Sequence, residues 1–398
     1  MSMVQTPAHV PANLVRNFNY VDMTGETDVY AKFKKVQDDE PDIFYTPHHG
    51  GHWVVTRFED MEYVMARAEL FSNKYQTVPI NPMQLPLLES DGQLHADFRL
   101  VLAPYFTPKS ITNLESVSRN LTISLMDKFY DRGECEFVAD FSQRMPIMIL
   151  MSLLALPDED RPYLLKISED IVRSGDPALQ MAAFGRVAEY IAQKVIPARQ
   201  ANPGDDIFSS ILRAKVQDGR SITIEETIGF GTLLIAAGLD TVASMLGFIT
   251  QFLAEHPAHR RQIVEDPSII NNALEEMMRR FHIANVSRVV IDDMDYKGVH
   301  FKAGDRILTA TSFAGIDPTR YSDPFNVDFK RGDKKSLVFG RGPHQCIGSF
   351  LARTELRVFL QEWTKRIPDF EVKKGQAPVA VPGKANGMRY LPLTWRVA

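Results

Sequence analysis

Between Ile224 and Glu255 the sequence carries one continuous helical pattern, closed by His256-Pro257. At 1.5 Å per residue such a helix is about 45–50 Å long, enough to cross the whole molecule. The stretch SITIEETIGF supplies a serine start signal followed by carboxylates in the first turn. Within it, the apolar run from Ile228 to Leu253 is interrupted by Gly238, Asp240, Thr241 and Ser244 with no relief from flanking charges. A membrane span is more uniformly apolar, so the segment reads as the axis of a soluble, cytoplasmic protein with no membrane anchor.

The rest of the chain is arranged about that axis. From about His95 to Arg280 the apolar spacing is almost entirely helical, and β-patterned runs lie on either side. HWVVTRFED precedes the helices, while RVVI, GVHFKAG, RILTAT and RYLPLTWRV follow them. The expected fold class is therefore mainly α with a minor β part (α+β), drawn from both ends of the chain. No repeat or low-complexity linker marks a boundary, so residues 1–398 are expected to form a single domain. The loop TVPINPMQLPLL (Thr77 to Leu88) contains three prolines and is too apolar to face only solvent; it should cover something.

Composition excludes several functions. A formal net charge of −5 gives no support to nucleic-acid binding. The two cysteines, Cys135 and Cys346, lie in unrelated contexts, which argues against a disulfide framework or a structural zinc site. The N-terminus has no charged region followed by an apolar one, so no signal peptide is expected.

Cys346 sits in FGRGPHQCIG. Gly340 and Gly342 permit backbone angles or close approaches that a side chain would prevent. After it, apolar residues at 347, 351, 352, 356, 359, 360, 363 and 367 form the stripe of an amphipathic helix. A cysteine just before a helix N-terminus is favoured as thiolate, which serves as a nucleophile or as a metal ligand. His344, two residues away, is poorly placed as a partner base, and an inert buried cysteine is the bland alternative. Glu276 and Arg279 share one helix face and could be only a solvated pair. Gly238, Asp240 and Thr241 could be a packing notch with a hydrophilic edge. The Gly-x-Gly of the loop lacks the remainder of a dinucleotide fingerprint.

Together these stretches resemble one family. FGRGPHQCIGSFLAR is similar to the haem-binding signature of cytochrome P450, and the resemblance runs from WVVTRFED through FSNKY to LPLTW. It implies that fold, with the long central helix crossing over haem b (iron protoporphyrin IX). By the same resemblance Cys346 is the axial thiolate ligand of the haem iron. Phe339 packs beside the sulfur, with Gly340 next to it. Gly238 belongs to the oxygen-binding turn of the central helix, Thr241 hydrogen-bonds bound dioxygen, and Asp240 relays protons to it. His95, Arg99, Arg288 and His344 take the propionates. Glu276 and Arg279 form a buried structural pair, completed by Arg320 or Arg331.

The implied activity is that of a soluble bacterial monooxygenase inserting one atom of O2 into a C–H bond. Its electrons would come from a two-iron two-sulfur ferredoxin served by a flavin-dependent reductase. The basic run KRGDKKS (Lys330 to Ser336), Arg341 and Arg99 offer a docking face. The closest resemblance is to the camphor-hydroxylating branch, seen in GLDTV, EEMMRRF, RIPDFEV and LPLTW. The tyrosine that anchors the ketone there has no counterpart between Val78 and Leu88; the nearest is Tyr75. The expected substrate is a compact apolar terpenoid or norisoprenoid held mainly by shape. Its walls would be Met83, Leu233, Ala236, Ala237, Ala284 and Val286. A haem-thiolate sensor or carrier is the alternative, and a haem-free helical protein a third; the Asp240–Thr241 pair counts against the sensor.

Overall fold

The computed structural model describes residues 3–22, 28–80, 83, 85–172, 177–217 and 219–397. Residues 81, 82 and 84 of the proline-rich loop lie outside the described residues. The central helix Ile224–Glu255 is α-helical over its whole length. Its N-cap is Thr223, two residues after the serine that the sequence suggested, because only Thr223 has a carboxylate three residues on. The Thr223 hydroxyl accepts from the Glu226 N–H, and the Glu226 carboxylate accepts from the Thr223 N–H. This helix has the length and apolarity to cross a membrane, yet 72% of its most apolar window is buried in the fold.

Three glycines let other elements approach this axis. A Cβ at Gly231 would lie 2.8 Å from Ile191 and Phe208, one at Gly238 2.8 Å from Leu150, and one at Gly247 2.5 Å from Met388. Gly238 forms a packing notch that accommodates Leu150 of the helix Arg144–Leu153.

The five-stranded sheet has the spatial order Ile43–Thr46, His52–Val55, Arg306–Ala310, Asn285–Val290 and Phe71–Ser72. His52–Val55 pairs with Arg306–Ala310 in parallel; the other neighbours are antiparallel. Side chains alternate along Asn285–Val290. Val286 and Arg288 face a cavity, while the Ser287 hydroxyl donates to the Tyr75 carbonyl at 2.6 Å. At the other end Pro392–Trp395 lies between Phe370–Val372 and Glu134–Glu136, in a three-stranded sheet. Glu134–Glu136 gave no strand pattern, since three residues cannot display an alternation. Apolar side chains gather in two clusters, one around the central helix and one beneath the five-stranded sheet, and Phe325 and Ala380 pack against both.

The pair on the helix Ile270–Arg280 is buried rather than solvated. Glu276 and Arg279 are each fully inaccessible and bond at 2.9 and 3.1 Å. Arg331 is the third partner, its Nε donating to Glu276 at 3.0 Å, whereas Arg320 pairs with Asp333. The remaining Arg279 N–H groups donate to the carbonyls of Gly315, Pro324 and Asn326. One carboxylate thus ties a helix to the loop that leads to Cys346.

Candidate active site

A cavity of about 260 Å³ lies between the central helix, the strand Asn285–Val290, the helix Gly92–Leu102 and the cysteine loop. Leu233, Leu234, Ala237, Thr241, Val242 and Met245 line it, which is one face of a helix read at intervals of one, three and four. Ala236 and Asp240 occupy the neighbouring row and do not line it. Of the expected walls, Leu233, Ala237, Ala284 and Val286 are present. Ala236 is turned away by the helical repeat, and Met83 packs against the main apolar cluster instead. Gly238, expected beside the cofactor, faces Leu150. Tyr75 does not line the cavity either, so the missing tyrosine is not replaced from upstream.

The cysteine loop is set by its own backbone. Gly340 and Gly342 adopt φ of +70° and +76°, a region that disfavours other residues. The Cys346 N–H donates to the Phe339 carbonyl at 2.9 Å, and the Gly340 N–H to that of Leu337 at 2.9 Å. A Cβ at Gly342 would fall 2.8 Å from the Met65 carbonyl, so this glycine seats the loop on the end of the helix Phe58–Ala66. A Cβ at Gly340 would meet nothing within 4 Å. Phe339 lines the cavity with the Arg353 guanidinium 4.5 Å from its ring, and Arg353 is held by Glu275 at 2.5 Å.

Cys346 precedes the helix Ser349–Arg366, whose N-cap is Gly348. Its side chain is accessible from the cavity but enclosed by protein. Burial pushes its thiol above the ordinary value, while the Gly348 N–H, Arg99 and Arg353 pull it down. Burial thus opposes the helix N-terminus that favours a thiolate here, and a bound cation would tip the balance towards it.

Four basic side chains line the same cavity: His95, Arg99, Arg288 and His344. The His95 and His344 rings stack with centroids 3.8 Å apart. Burial lowers both imidazoles, His95 to about 4. Burial also lowers Arg288 to about 10; its Nη1 donates to the Ser287 carbonyl at 2.9 Å, and no carboxylate bonds it among the described residues. Of the four, only His344 comes within ion-pair distance of an acid among the described residues, Asp91 at 3.7 Å, whose charge also reaches His95 and Arg288. A buried guanidinium without a counter-ion is costly, and the set fits a group that brings its own carboxylates. Haem does so with its two propionates, and Cys346 faces the same cavity as a soft donor for its iron.

Thr241 presents its hydroxyl to the cavity and donates it to the Ala237 carbonyl at 2.9 Å. Asp240 accepts from the Ser244 hydroxyl at 3.0 Å, with Gly387 beside both. Burial pushes its carboxyl up to about 6, against the Ser244 hydrogen bond. The expected docking face is also altered. Arg331 is committed to Glu276, Arg99 lines the cavity, and Lys335 and Arg341 share Glu62 at 2.7 and 3.3 Å.

Comparison with known proteins agrees with this geometry. A family model described as "Cytochrome P450" matches residues 178–382. The chain is 32% identical to a probable cytochrome P450 127A1 of Sinorhizobium fredii, over 98% of this chain and 96% of that protein. The crystal structure of CYP101J2 is 33% identical, with a TM-score of 0.90 over 99% of this chain and 100% of that one. That of CYP101C1 is also 33% identical at a TM-score of 0.90, over 98% and 100%.

Proposed function

The chain belongs to the cytochrome P450 family of haem monooxygenases, and from that premise we propose that it hydroxylates a compact apolar substrate, a terpenoid or norisoprenoid, in the cytoplasm. The whole chain, 1–398, would form the one catalytic domain. The observation that carries the reading is the convergence on one cavity of Cys346, Thr241 and four basic groups, of which only His344 pairs with an acid among the described residues.

Haem b, when bound, supplies the activation of dioxygen, one atom of which enters a C–H bond while the other leaves as water with two electrons and two protons. The chain's own residues do the rest. Arg99, Arg288, His95 and His344 would hold the propionates, whose negative charge would stabilise their protonated forms. Leu233, Ala237, Ala284 and Val286 bind an apolar molecule, orient it by shape and exclude water. Asp240 lies one residue from Thr241 but outside the cavity, so it takes up protons on one side of the helix and passes them towards Thr241. A carboxyl titrating at about 6 both gains and loses a proton readily at neutral pH. Electrons would come from an acidic two-iron two-sulfur ferredoxin, reduced by a flavin-dependent reductase, docking near Lys330, Lys334 and Arg341.

Reducing the haem-loaded protein under carbon monoxide tests the thiolate. It should give the absorption band from which the family takes its name, and a haem-replete protein without that band would end the assignment. Spin-state titration with terpenoids, followed by product analysis with ferredoxin and reductase, tests the substrate class.

A further inference from the structure

Among the cavity residues that the sequence reading did not single out, one is a mostly buried amide. Gln76 lines the cavity, is 9% exposed, and its amide makes no hydrogen bond among the described residues. The two neighbouring threonines are paired. Thr241 and Thr311 donate to the Ala237 and Ala284 carbonyls, at 2.9 and 2.7 Å, while Gln345, also without a side-chain hydrogen bond among the described residues, sits in the cysteine loop and is exposed rather than buried. The backbone of Gln76 is clamped from both sides. Its carbonyl accepts from the Ser287 N–H at 2.7 Å, and its N–H faces the Glu89 carboxylate, itself held by the Leu85 N–H at 2.9 Å. The backbone thus presents to the cavity an amide with no partner among the described residues, beside walls formed by Leu87, Leu88, Leu233 and Val286. Such a group is expensive to leave unpaired, and a ligand oxygen that pairs it gains discrimination against a ligand lacking one.

We propose that the Gln76 side-chain N–H donates a hydrogen bond to a single carbonyl or hydroxyl oxygen on the substrate, so that the preferred substrates are compact hydrocarbons bearing one oxygen. This rests on the apolar-substrate reading above and replaces binding by shape alone with one fixed polar anchor. It would take over the orienting role for which no tyrosine is present.

The test uses the haem-loaded full chain and two matched pairs, camphor with bornane and acetophenone with ethylbenzene, titrated by spin-state shift. Native protein should favour each ketone, and Gln76→Leu should reduce the ratio of hydrocarbon to ketone Kd by about 3- to 10-fold. Haem content and the carbon monoxide band should be unchanged in the variant, and Gln76→Asn should restore part of the ratio. An unchanged ratio in Gln76→Leu overturns the proposal. So does loss of haem retention with the ratio intact, which would assign the amide to a propionate. If neither member of either pair shifts the native spectrum, the apolar-substrate reading itself falls, and this proposal with it.

Discussion

Asp240 has a hydroxyl for a partner and no cation, and that single circumstance sets its behaviour. Its carboxyl titrates at about 6 in the fold against 3.8 ordinarily, so the native state holds the proton more tightly than the unfolded chain. Stability therefore falls as pH rises between these two values, and the cost is complete above the folded one. Asp240→Asn should remove that dependence. Its stability relative to native protein should improve from pH 4 to pH 7 by at most about 3 kcal/mol, measured by denaturant titration at each pH; a constant difference would show that the carboxyl titrates normally. Thr241→Ala should keep haem and substrate binding but lower the product formed per electron consumed by roughly 10-fold, within the range of general acid–base effects. Unchanged coupling in an oxygen-consumption assay would remove Thr241 from proton delivery. At this scale Cys346, Thr241, Arg288 and His344 could be singled out because the motifs around them resemble one family's. Gln76 was not, because an amide in an ordinary loop shows its significance only when everything around it is apolar.

Among elements, the cysteine loop is held from two directions. The Glu276 carboxylate binds Arg279 and Arg331 and accepts the Asp328 N–H at 3.0 Å, so the loop cannot shift without breaking a network centred on a fully buried carboxylate. Arg279→Ala leaves a buried carboxylate with half its compensation and should destabilise the protein by about 3–5 kcal/mol, with loss of bound haem. Arg331→Ala should do less, since Arg279 still covers Glu276; urea unfolding of both variants checks the order. The second attachment is Gly342, whose φ of +76° and approach to Met65 leave no room for a side chain. Gly342→Ala should cost about 1–3 kcal/mol and broaden the carbon monoxide band, whereas an unaltered band would mean that the loop tolerates displacement. The sequence contained both glycines but could not say which approached what. The long helix was legible end to end because its period persists over 32 residues, while its capping threonine was displaced by two from the expected serine. A cap is decided by one reciprocal pair of hydrogen bonds, which Ser221 has no carboxylate at the right spacing to complete.

Across the whole molecule a net charge of −5 coexists with a basic region next to the cysteine loop, partly neutralised by Glu62 and Glu276. Reduction by an acidic ferredoxin should slow several-fold as salt rises from about 0.05 to 0.5 M, and further in Lys334→Glu, while chemical reduction stays unchanged. A salt-independent rate in stopped-flow would place docking elsewhere. The sequence by itself determined the class of fold, the long axis, the haem-thiolate signature and the order of the groups serving it. These are local patterns, readable because helical period, turn glycines and charged pairs act over a few residues. Only the tertiary structure decided which face of the central helix meets the cavity. It put Ala237 and Thr241 on that face, Asp240 on the next row and Gly238 against Leu150. It alone also chose Arg331 over Arg320 and set Gln76 opposite apolar walls. Such choices depend on the rotation of one element against another, which is fixed by the side chains that interlock between them and is written in no single stretch of the chain.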